Sequence, residues 1–356
     1  LILKLYDLIC RLFLRLPCAN LIIGKLNVIK IMTYYVLLVL ILIIFIVYMK
    51  VIDSNDEIDI FRIRLIKKIT IIFSSILLFS VLIWKKDSFV NVKMIDVGQG
   101  DSICINDGNN VILVDAGSSS SKEISKYTIL PFLKSNGIEY VDYLIMTHSD
   151  SDHINGMKEL LLEKYNNKNY VKNLILPDIN KTIIDDDYLE IQKIALENNI
   201  NIIYFSKGNT ISFDKMKIEC LWPDKDIILD KDIILDKNDL SLTFLLKTSS
   251  YKMLFTGDLG EVSEKKLVNN KSLCNVDILK VGHHGSNGSS NEVFLKELIP
   301  VVSLISCGEN NRYGHPGINT MNRLKDINTD IFATMKVGQI SIIGNENGFV
   351  VETFLH

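Results

Sequence analysis

Two long uncharged runs mark the first part of the chain. Residues 31–49 are nineteen consecutive residues without a charge, and residues 69–84 are sixteen more. A helix that crosses a bilayer needs about 20 apolar residues, and about 17 can suffice. The first run therefore predicts a transmembrane helix. The second run is shorter and has a buried core helix as its alternative, but Trp84 and the two lysines after it are typical of an interfacial anchor. We expect residues 1–90 to be a membrane region with transmembrane helices at about 31–49 and 69–84.

From residue 91 onwards, short β-rich runs alternate with turns and helical stretches. A helix is predicted over residues 155–165. Strands are predicted at residues 92–97, 102–105, 111–115, 141–147, 242–248, 252–256, 277–281, 301–306 and 339–343. Mixed strands with interspersed helices indicate a layered α/β domain, which we expect to span residues 91–356.

The charges divide along the same boundary. Residues 1–90 contain 12 basic and 6 acidic residues, whereas the remainder contains 27 basic and 36 acidic residues. The loop at 50–68 is rich in lysine and arginine, so the positive-inside bias places it in the cytoplasm and residues 91–356 outside. The acidic domain gives no support for tight, electrostatically driven binding of nucleic acid, which would need a local basic patch or bound metals. Because the chain begins at Leu1 and not at Met, we expect it to be the C-terminal part of a longer protein.

Histidine and aspartate gather where one predicted strand ends and a helix begins. The segment THSDSDH at 147–153 places His148, Asp150, Asp152 and His153 within six residues. Imidazole and carboxylate ligands together suit zinc or manganese. The alternative is a solvated polar loop in which one aspartate caps the helix. Two histidines that bracket two aspartates exceed what a cap needs, so the pattern favours a metal site.

Two further strand ends carry the same residue types. Asp258 follows the predicted strand 252–256, and His283 and His284 follow the strand 277–281. Loops after strands meet at one edge of the sheet in α/β proteins, and they build sites there. We therefore predict one site assembled from distant parts of the sequence.

The cysteines do not add to this site. None of the six forms a C-x-x-C pair, so we expect neither a disulfide framework nor a cysteine-based zinc site. Cys104, Cys220 and Cys274 lie in apolar, strand-like segments, which predicts that they are buried free thiols.

Taken together, these motifs resemble the metallo-β-lactamase superfamily. H-x-D-x-D-H at 148–153, GD at 257–258 and HHGS at 283–286 carry that resemblance. DVGQGDS at 96–102, DAG at 115–117, LKVGHHGS at 279–286 and YGHP at 313–316 are similar to the C-terminal domain of ComEC-type DNA-uptake channel proteins. The resemblance covers essentially all of residues 91–356. It implies an α/β fold, the metallo-β-lactamase αββα sandwich, preceded by transmembrane helices.

The resemblance also implies a site with two divalent metal ions, whether manganese, zinc or magnesium. The implied metal ligands are His148, Asp150, Asp152, His153, Asp258 as the bridge, and His283 or His284. Asp152 and Asp258 would belong to the catalytic machinery. The implied supporting and cleft-lining residues are Asp115 behind the ligand loop, Gln99, Asp101 and Ser286, which could hydrogen-bond a phosphate. His315 stands between a structural role and a substrate contact.

Three positions depart from the common superfamily pattern. Asp150 stands where most members have histidine, although aspartate there is typical of the ComEC-type branch. No histidine lies between His153 and His283, so the histidine of the third motif is missing and one metal site is expected to be weak. Met335 stands where relatives usually carry aspartate.

The function implied by the resemblance is that of a membrane-attached, metal-dependent hydrolase. We expect a phosphodiesterase or nuclease that acts on DNA during competence uptake, in a multi-pass protein of the cell membrane whose metallo-β-lactamase-like domain is extracytoplasmic. Its expected partners are DNA, the membrane, other competence proteins and the remainder of a longer channel chain. Two alternatives stay open. One is a catalytically silent guide module of a DNA channel, and the other is a hydrolase of small phosphodiesters or lactones.

Overall fold

The computed structural model describes residues 2–13, 21–26, 28–53, 60–83, 89–180, 183–225 and 237–355. The chain divides into two compact units. The first comprises residues 1–86 with 134–138, and the second comprises residues 87–133 with 139–356.

The N-terminal unit is helical. Its helices are α1 (Ile2–Phe13), α2 (Val28–Asp53) and α3 (Ile60–Ile83), and α2 packs against α3. Within the described ranges, the segment Val28–Ile46 of α2 is the one helix long and apolar enough to cross a membrane, and none of it is buried. Within the described ranges, the second predicted span, residues 69–84, contains no segment that meets this criterion. Trp84 and the two lysines after it lie outside those ranges.

The predicted charged loop at 50–68 is largely wrong. α2 continues to Asp53 and α3 already begins at Ile60, so most of the basic residues of this stretch lie in helix. Lysine and arginine have good intrinsic helix propensity, and here they alternate with isoleucine and leucine. Charge density therefore gave a poor estimate of where the helices end.

Two β-sheets form the centre of the C-terminal unit. Its strands are β1 (Asn91–Met94), β2 (Ile103–Asn106), β3 (Val111–Val114), β4 (Val141–Ile145), β5 (Lys164–Tyr165), β6 (Lys168–Asn169), β7 (Val171–Pro177), β8 (Asn201–Phe205), β9 (Thr210–Ser212), β10 (Met216–Trp222), β11 (Thr243–Thr248), β12 (Lys252–Phe255), β13 (Ile278–Lys280), β14 (Val302–Ile305), β15 (Asp330–Ala333), β16 (Ile340–Asn345) and β17 (Gly348–Thr353). One sheet has the order β17-β16-β1-β2-β3-β4-β7-β8, and the other has the order β15-β14-β13-β12-β11-β10-β9. β5 and β6 form a separate pair.

The main core lies between the two sheets. Met94 and Ile105 from the first sheet are buried in one cluster with Phe244, Phe255 and Leu304 from the second. The Phe244 and Phe255 rings stack with their centroids 4.6 Å apart. Truncation of a buried phenylalanine to alanine costs about 3–5 kcal/mol of folding free energy, so this layer holds the two sheets, and the loops at their rims, in a fixed relation.

Helices cover the outer faces of both sheets. The remaining helices are α4 (Leu130–Ser135), α5 (Ser151–Leu162), α6 (Asp186–Glu197), α7 (Glu261–Asn269), α8 (Glu292–Leu298), α9 (Ile318–Asp326) and the short α10 (Thr334–Val337). α6 packs on α5 and β8, while Phe294 and Leu298 of α8 join Leu254 and Leu279 in a second apolar cluster. The layers are thus helix, sheet, sheet and helix, which confirms the predicted αββα fold.

Each of the nine predicted strands has a counterpart, in β1–β4, β11–β14 and β16. The strands and helices between residues 164 and 222, together with β15 and β17, were not predicted. α5 begins at Ser151 and not at 155, so part of the predicted metal-binding motif is itself helical. Cys104 and Cys220 are buried as expected, but Cys274 is exposed because it lies in the turn between α7 and β13.

Candidate metal centre

Loops after three strands bring the histidines and aspartates to one place. His148 lies in the loop after β4, and Asp152 and His153 lie in the first turn of α5. Asp258 follows β12, and His284 follows β13. β4 belongs to one sheet whereas β12 and β13 belong to the other. The cluster therefore joins the rims of the two sheets.

Asp258 lies at the centre of this cluster. Its Oδ1 atom is 3.3 Å from Nε2 of His153, and its Oδ2 atom is 3.3 Å from Nε2 of His284. The Nε2 atoms of His148 and His283 are farther from Oδ2, at 4.0 Å and 3.9 Å. One buried carboxylate thus faces four imidazoles, which is the arrangement expected of a residue shared between two metal positions.

Hydrogen bonds at the far nitrogen orient two of the buried imidazoles. His153 Nδ1 is 2.8 Å from a carboxylate oxygen of Asp115, and His284 Nδ1 donates to the carbonyl of Ser306 at 2.9 Å. Because both partners can only accept, each Nδ1 carries a proton. In the neutral ring the lone pair then lies on Nε2, which faces the cluster. Metal-binding histidines are oriented in this way in other proteins.

The third buried imidazole is fixed through a short chain of polar groups. The Thr147 hydroxyl donates to Asp115 at 2.7 Å and lies 3.0 Å from His148 Nδ1. With its proton committed to Asp115, the hydroxyl oxygen accepts from Nδ1. Nε2 of His148 is therefore the unprotonated atom, and it is buried with no hydrogen-bond partner among the described residues.

The donor set fits a divalent metal ion. Across the described ranges, Asp101, His153, Asp258 and His284 each bring one ligand atom within 4.8 Å of the others. One carboxylate oxygen each of Asp101 and Asp258 is buried without a hydrogen-bond partner, as is His148 Nε2. Unpaired buried polar atoms are costly to a fold, and bound cations would compensate for their missing partners. The chain thus has a buried His/Asp cluster suited to metal binding, although Asp101 was expected only to line the cleft.

The electrostatics separate His148 from the other two buried histidines. Burial, together with the neighbouring charge of His153, lowers the pKa of His148 well below its usual value. Burial also opposes the charge of His284, but the carboxylates of Asp258 and Asp101 outweigh it and raise its pKa to about 10. Asp258 and Asp115 likewise raise the pKa of His153 well above its usual value. In the metal-free protein, His153 and His284 are therefore protonated and paired with the surrounding carboxylates, whereas His148 is neutral.

Two carboxylates of the site, Asp258 and Asp152, have lowered pKa values, whereas burial raises the pKa of Asp115. Burial favours the protonated form of Asp258, but His284 and His153 hold its pKa well below the usual range. Burial also acts on Asp152, yet the hydrogen bond and charge of His284 lower its pKa to about 2. Asp152 Oδ2 lies 3.4 Å from His284 Nε2. Both aspartates are therefore anionic at neutral pH and available as ligands.

The backbone is strained at three of the site positions. Asp115, His283 and His284 have φ angles of 52°, 49° and 52°, in the left-handed region that L-residues rarely adopt. Such strain persists only where the surroundings fix it, and it concentrates at functional sites. Gly117 allows a close approach nearby, because a Cβ there would lie 2.4 Å from the backbone of Asp152. The DAG motif is thus needed to seat the first turn of α5.

One side of the cluster differs from the rest. Asp150 is a third exposed, and its carboxylate pairs with Lys237 Nζ at 2.9 Å while lying 3.8 Å from His148 Nε2. Lys237 also reaches Asp185, 3.2 Å away. Asp150 occupies the N-cap position of α5 but makes no capping hydrogen bond, so the capping alternative does not explain it. We name His148, Asp150 and Lys237 the open half of the centre, and Asp101, His153, Asp258 and His284 the closed half.

The remaining predicted residues lie around these two halves. Gln99 is buried and accepts a hydrogen bond from the backbone of Gly308 at 3.3 Å. Ser286 is half-buried, and its hydroxyl accepts from Gly288 N at 3.3 Å. The His315 ring lies 5.5 Å from that of His283, with its Nδ1 buried and unpartnered among the described residues. These three side chains line the periphery and are not brought into the ligand cluster.

Lys280, like Lys237, is a site residue for which the sequence analysis assigned no role. Its side chain is 1% exposed, forms a close ion pair with Asp101, and lies 3.7 Å from Asp258. Nζ also donates to the Gly257 carbonyl at 2.9 Å. The two carboxylates outweigh burial and raise its pKa. A lysine at the end of the apolar strand β13 was the available signal, because lysine is almost never fully buried unless paired.

Comparison with known proteins shows which family this chain is similar to. Residues 95–309 match the family model of the metallo-beta-lactamase superfamily. ComE operon protein 3 of Bacillus subtilis is 31% identical over 264 residues, which are 70% of this chain and 32% of that protein. Recombination protein 2 of Haemophilus influenzae is 28% identical over 293 residues, 81% of this chain and 32% of that protein. The chain thus spans about a third of the length of these curated relatives.

Among solved structures, the metallo-beta-lactamase fold protein YhfI of Bacillus subtilis aligns with a TM-score of 0.42 and 14% identity, over 68% of this chain and 96% of that one. The relatives also include the competence protein ComA of Neisseria gonorrhoeae, 28% identical over 250 residues, 68% of this chain and 31% of that protein. The predicted resemblance to ComEC-type competence proteins is therefore confirmed. With the family model matching more than half of its length, the chain belongs to the metallo-beta-lactamase superfamily.

Proposed function

We propose that this chain is a metal-dependent phosphodiesterase that cleaves DNA. The observation that supports the proposal most directly is the convergence of oriented imidazoles on the buried carboxylate of Asp258. A site with this donor set suits hydrolysis, and the similarity to competence proteins favours DNA as the substrate.

Two divalent ions would be held by overlapping sets of ligands. Asp152, His153 and His284 would hold one, His148 and Asp150 the other, and Asp258 would be shared. Such ions supply positive charge that stabilises developing negative charge on oxygen, and they acidify water. The protein contributes the rest. Asp115 and Ser306 keep the imidazoles aligned, Lys280 keeps Asp101 and Asp258 in place, and burial keeps bulk water away from the carboxylates.

The ligand types favour manganese or magnesium over zinc in the open half. Asp150 supplies a carboxylate where an imidazole is usual, so the ligands there are mainly oxygen atoms, which hard cations prefer. His148 is the one imidazole proposed for that position. We expect Mn²⁺ to support hydrolysis better than Zn²⁺ does.

The apolar helices provide the proposed membrane attachment. The segment Val28–Ile46 has the length and composition of a membrane span, and we propose residues 69–84 as a second one. The basic residues between the two runs then assign that stretch to the cytoplasm and residues 91–356 to the outer side. A reporter fused after residue 356 should be active only when exported. Activity of that fusion in the cytoplasm would contradict this topology.

Hydrolysis is tested with the 356-residue chain in detergent, stripped of metal and reloaded separately with Mn²⁺, Mg²⁺ or Zn²⁺. Labelled single-stranded and duplex oligonucleotides serve as substrates. We expect cleavage with Mn²⁺, and we expect it to weaken as salt rises, because salt screens the few phosphate contacts that an acidic domain makes. A chain that binds metal yet cleaves neither substrate with any ion would contradict the proposal.

The open half favours one second candidate, a catalytically silent guide module for DNA. Asp150 is engaged by Lys237, and the third-motif histidine is absent from the sequence. A module of this kind would bind metal in the closed half and bind DNA without turnover. The same assay distinguishes the two candidates, because only the silent module retains DNA binding with no product at any metal concentration.

A further inference from the structure

A rigid loop beside the metal centre presents an aromatic ring and a guanidinium group to solvent. The Tyr313 side chain is 48% exposed. The guanidinium carbon of Arg312 lies 4.8 Å from the centre of the Tyr313 ring, and an Arg312 nitrogen is 2.6 Å from the Tyr313 hydroxyl. We call Arg312 and Tyr313 the platform. Its two planar groups are the surfaces on which nucleobases stack in proteins that bind single strands.

Asn311 braces the loop that carries the platform. Its amide nitrogen donates to the carbonyls of Gly308 and His315 at 2.9 Å and 2.6 Å. Its amide oxygen accepts from the backbone nitrogens of Tyr313 and His315 at 3.2 Å and 2.9 Å. One side chain thus ties four points of the loop together, so the platform is held in place before any ligand arrives. Ordering it on binding would then cost little.

The same loop is docked onto the turn that carries His284. Gly317 N donates to the Gly285 carbonyl at 2.8 Å. A Cβ on Gly285 would lie 2.7 Å from Pro316, so the two segments approach as closely as a glycine allows. The loop is therefore held in a fixed position relative to the metal ligands.

A series of rings connects the platform to the buried histidines. Tyr313 stacks on His315 with centroids 5.7 Å apart and planes inclined by 21°. His315 in turn stacks on His284 at 6.3 Å and 27°. The exposed end of this series, Tyr313, is thus two ring contacts away from His284 of the closed half.

The charge of the domain favours a ligand that binds by stacking of its bases and not through its phosphates alone. Residues 91–356 carry more acidic than basic residues, so phosphate contacts alone provide little binding energy. Stacking does not depend on net charge, and every base has a π-face. In duplex DNA the bases are already stacked on each other and cannot reach a side chain in this way.

We propose that the Arg312–Tyr313 platform binds a base of single-stranded DNA next to the phosphate held at the metal centre. This rests on the proposed function, since it assumes DNA as the ligand, and it adds a preference for single strands. Arg312 stacks or pairs with the same base, and Tyr313 supplies the fixed ring.

The test uses a cleavage-resistant phosphorothioate oligonucleotide that carries 2-aminopurine at successive positions, with the 356-residue chain in detergent and Mn²⁺. Stacking on an aromatic ring quenches 2-aminopurine fluorescence. Tyr313→Leu removes the ring but keeps apolar bulk, and Tyr313→Phe keeps the ring. Tyr127→Leu is the matched control, because Tyr127 is 62% exposed and Lys126 Nζ lies 4.8 Å from its ring, in a pair that lies on another segment.

We expect quenching at one position in the wild type, retained in Tyr313→Phe and Tyr127→Leu and lost in Tyr313→Leu. Loss of the stacked base should lower single-strand affinity about tenfold in Tyr313→Leu while duplex affinity changes little. Equal single-strand binding by wild type and Tyr313→Leu would overturn the platform, as would no single-strand binding by the wild type. Tyr313-dependent quenching without cleavage of a normal oligonucleotide would instead refute hydrolysis and leave the platform standing.

Discussion

The two halves of the metal centre differ in how far their side chains are already positioned for a cation. In the closed half, His153 and His284 are each fixed by a hydrogen bond at Nδ1 and converge on Asp258. In the open half, Asp150 is a third exposed and already paired with Lys237. A preformed site does not have to reorganise when a cation arrives, whereas an engaged carboxylate must first leave its partner. We therefore expect two metal affinities, with the tighter one in the closed half.

The largest effect is expected where the two halves meet. Asp258→Ala removes the carboxylate that both ion positions share, so bound metal should fall to a small fraction of its wild-type level and any hydrolysis should be lost. Metal content is measured by mass spectrometry, and folding is followed through the fluorescence of Trp222, which is buried. Asp330→Ala, on an exposed strand position, is the control and should retain wild-type metal content. An Asp258→Ala protein with unchanged metal content would refute the shared-ligand arrangement.

A second test concerns Lys280, the buried lysine beside the closed half. Lys280→Met leaves Asp101 buried without its partner, and breaking a buried ion pair costs about 3–5 kcal/mol of folding free energy. The double variant with Asp101→Asn removes both charges and should recover most of that loss. Denaturant unfolding of the metal-free chain measures both. If the double variant is as unstable as Lys280→Met, charge pairing with Asp101 is not the role of this lysine.

The dependence of stability on pH should also separate the halves. The pKa of His284 is raised to about 10 in the folded state, so its contribution to the metal-free protein is fully present below pH 6.5 and is lost as the pH rises from there through 10. His148 has a lowered pKa and contributes no such loss over this range. The wild type and His148→Gln should therefore lose stability between pH 6.5 and pH 9.5, and His284→Gln should show a flatter profile. Equal slopes in all three proteins would contradict the assignment of charge.

The smallest effect is expected at the rim of the open half. Lys237→Met frees Asp150, and because an exposed ion pair is worth about 0–1 kcal/mol, the weaker metal affinity should improve by no more than about fivefold. Asp150→His should move the preference of the same position from Mn²⁺ towards Zn²⁺. Calorimetric titration with each ion measures both changes. If Lys237→Met alters the tighter of the two affinities instead, the division of the centre into two halves is wrong.

The sequence predicted that the ligands of the cluster converge, but not which lysines pair with its carboxylates. His148, His153, Asp258 and His284 come after buried strands, which was the signal for convergence. The expectation of one edge of a single sheet was wrong, because β4 belongs to one sheet whereas β12 and β13 belong to the other. By contrast, the contact of Lys280 with Asp101 depends on which face of a short strand points inward. The pairing of Lys237 with Asp150 depends on the path of a loop, which local pattern does not determine.

The fold shows the same division. Strands formed by short continuous apolar runs, such as β11 and β12, could be placed to within a residue or two. The segment between residues 164 and 222 mixes polar and apolar positions, and most of its strands are defined by pairing with distant segments more than by local preference. Helix ends in the N-terminal unit were misjudged for a related reason, because basic residues end a hydrophobic run without ending a helix.

The ligands come from both sheets, and this has a mechanical consequence. His153 and His284 are separated by 131 positions in the sequence but touch at Nε2 atoms 3.3 Å apart. An ion bound there would add a further link between two layers that are joined at that rim by apolar packing and by polar contacts such as the Lys280–Asp101 ion pair. Closing so long a loop in the unfolded chain is entropically costly, and binding that requires the closed loop adds its free energy to folding. Removal of the metal by a chelator would thus loosen the sandwich first at this rim. The stacked phenylalanines between the sheets would still hold the rest of the sandwich together.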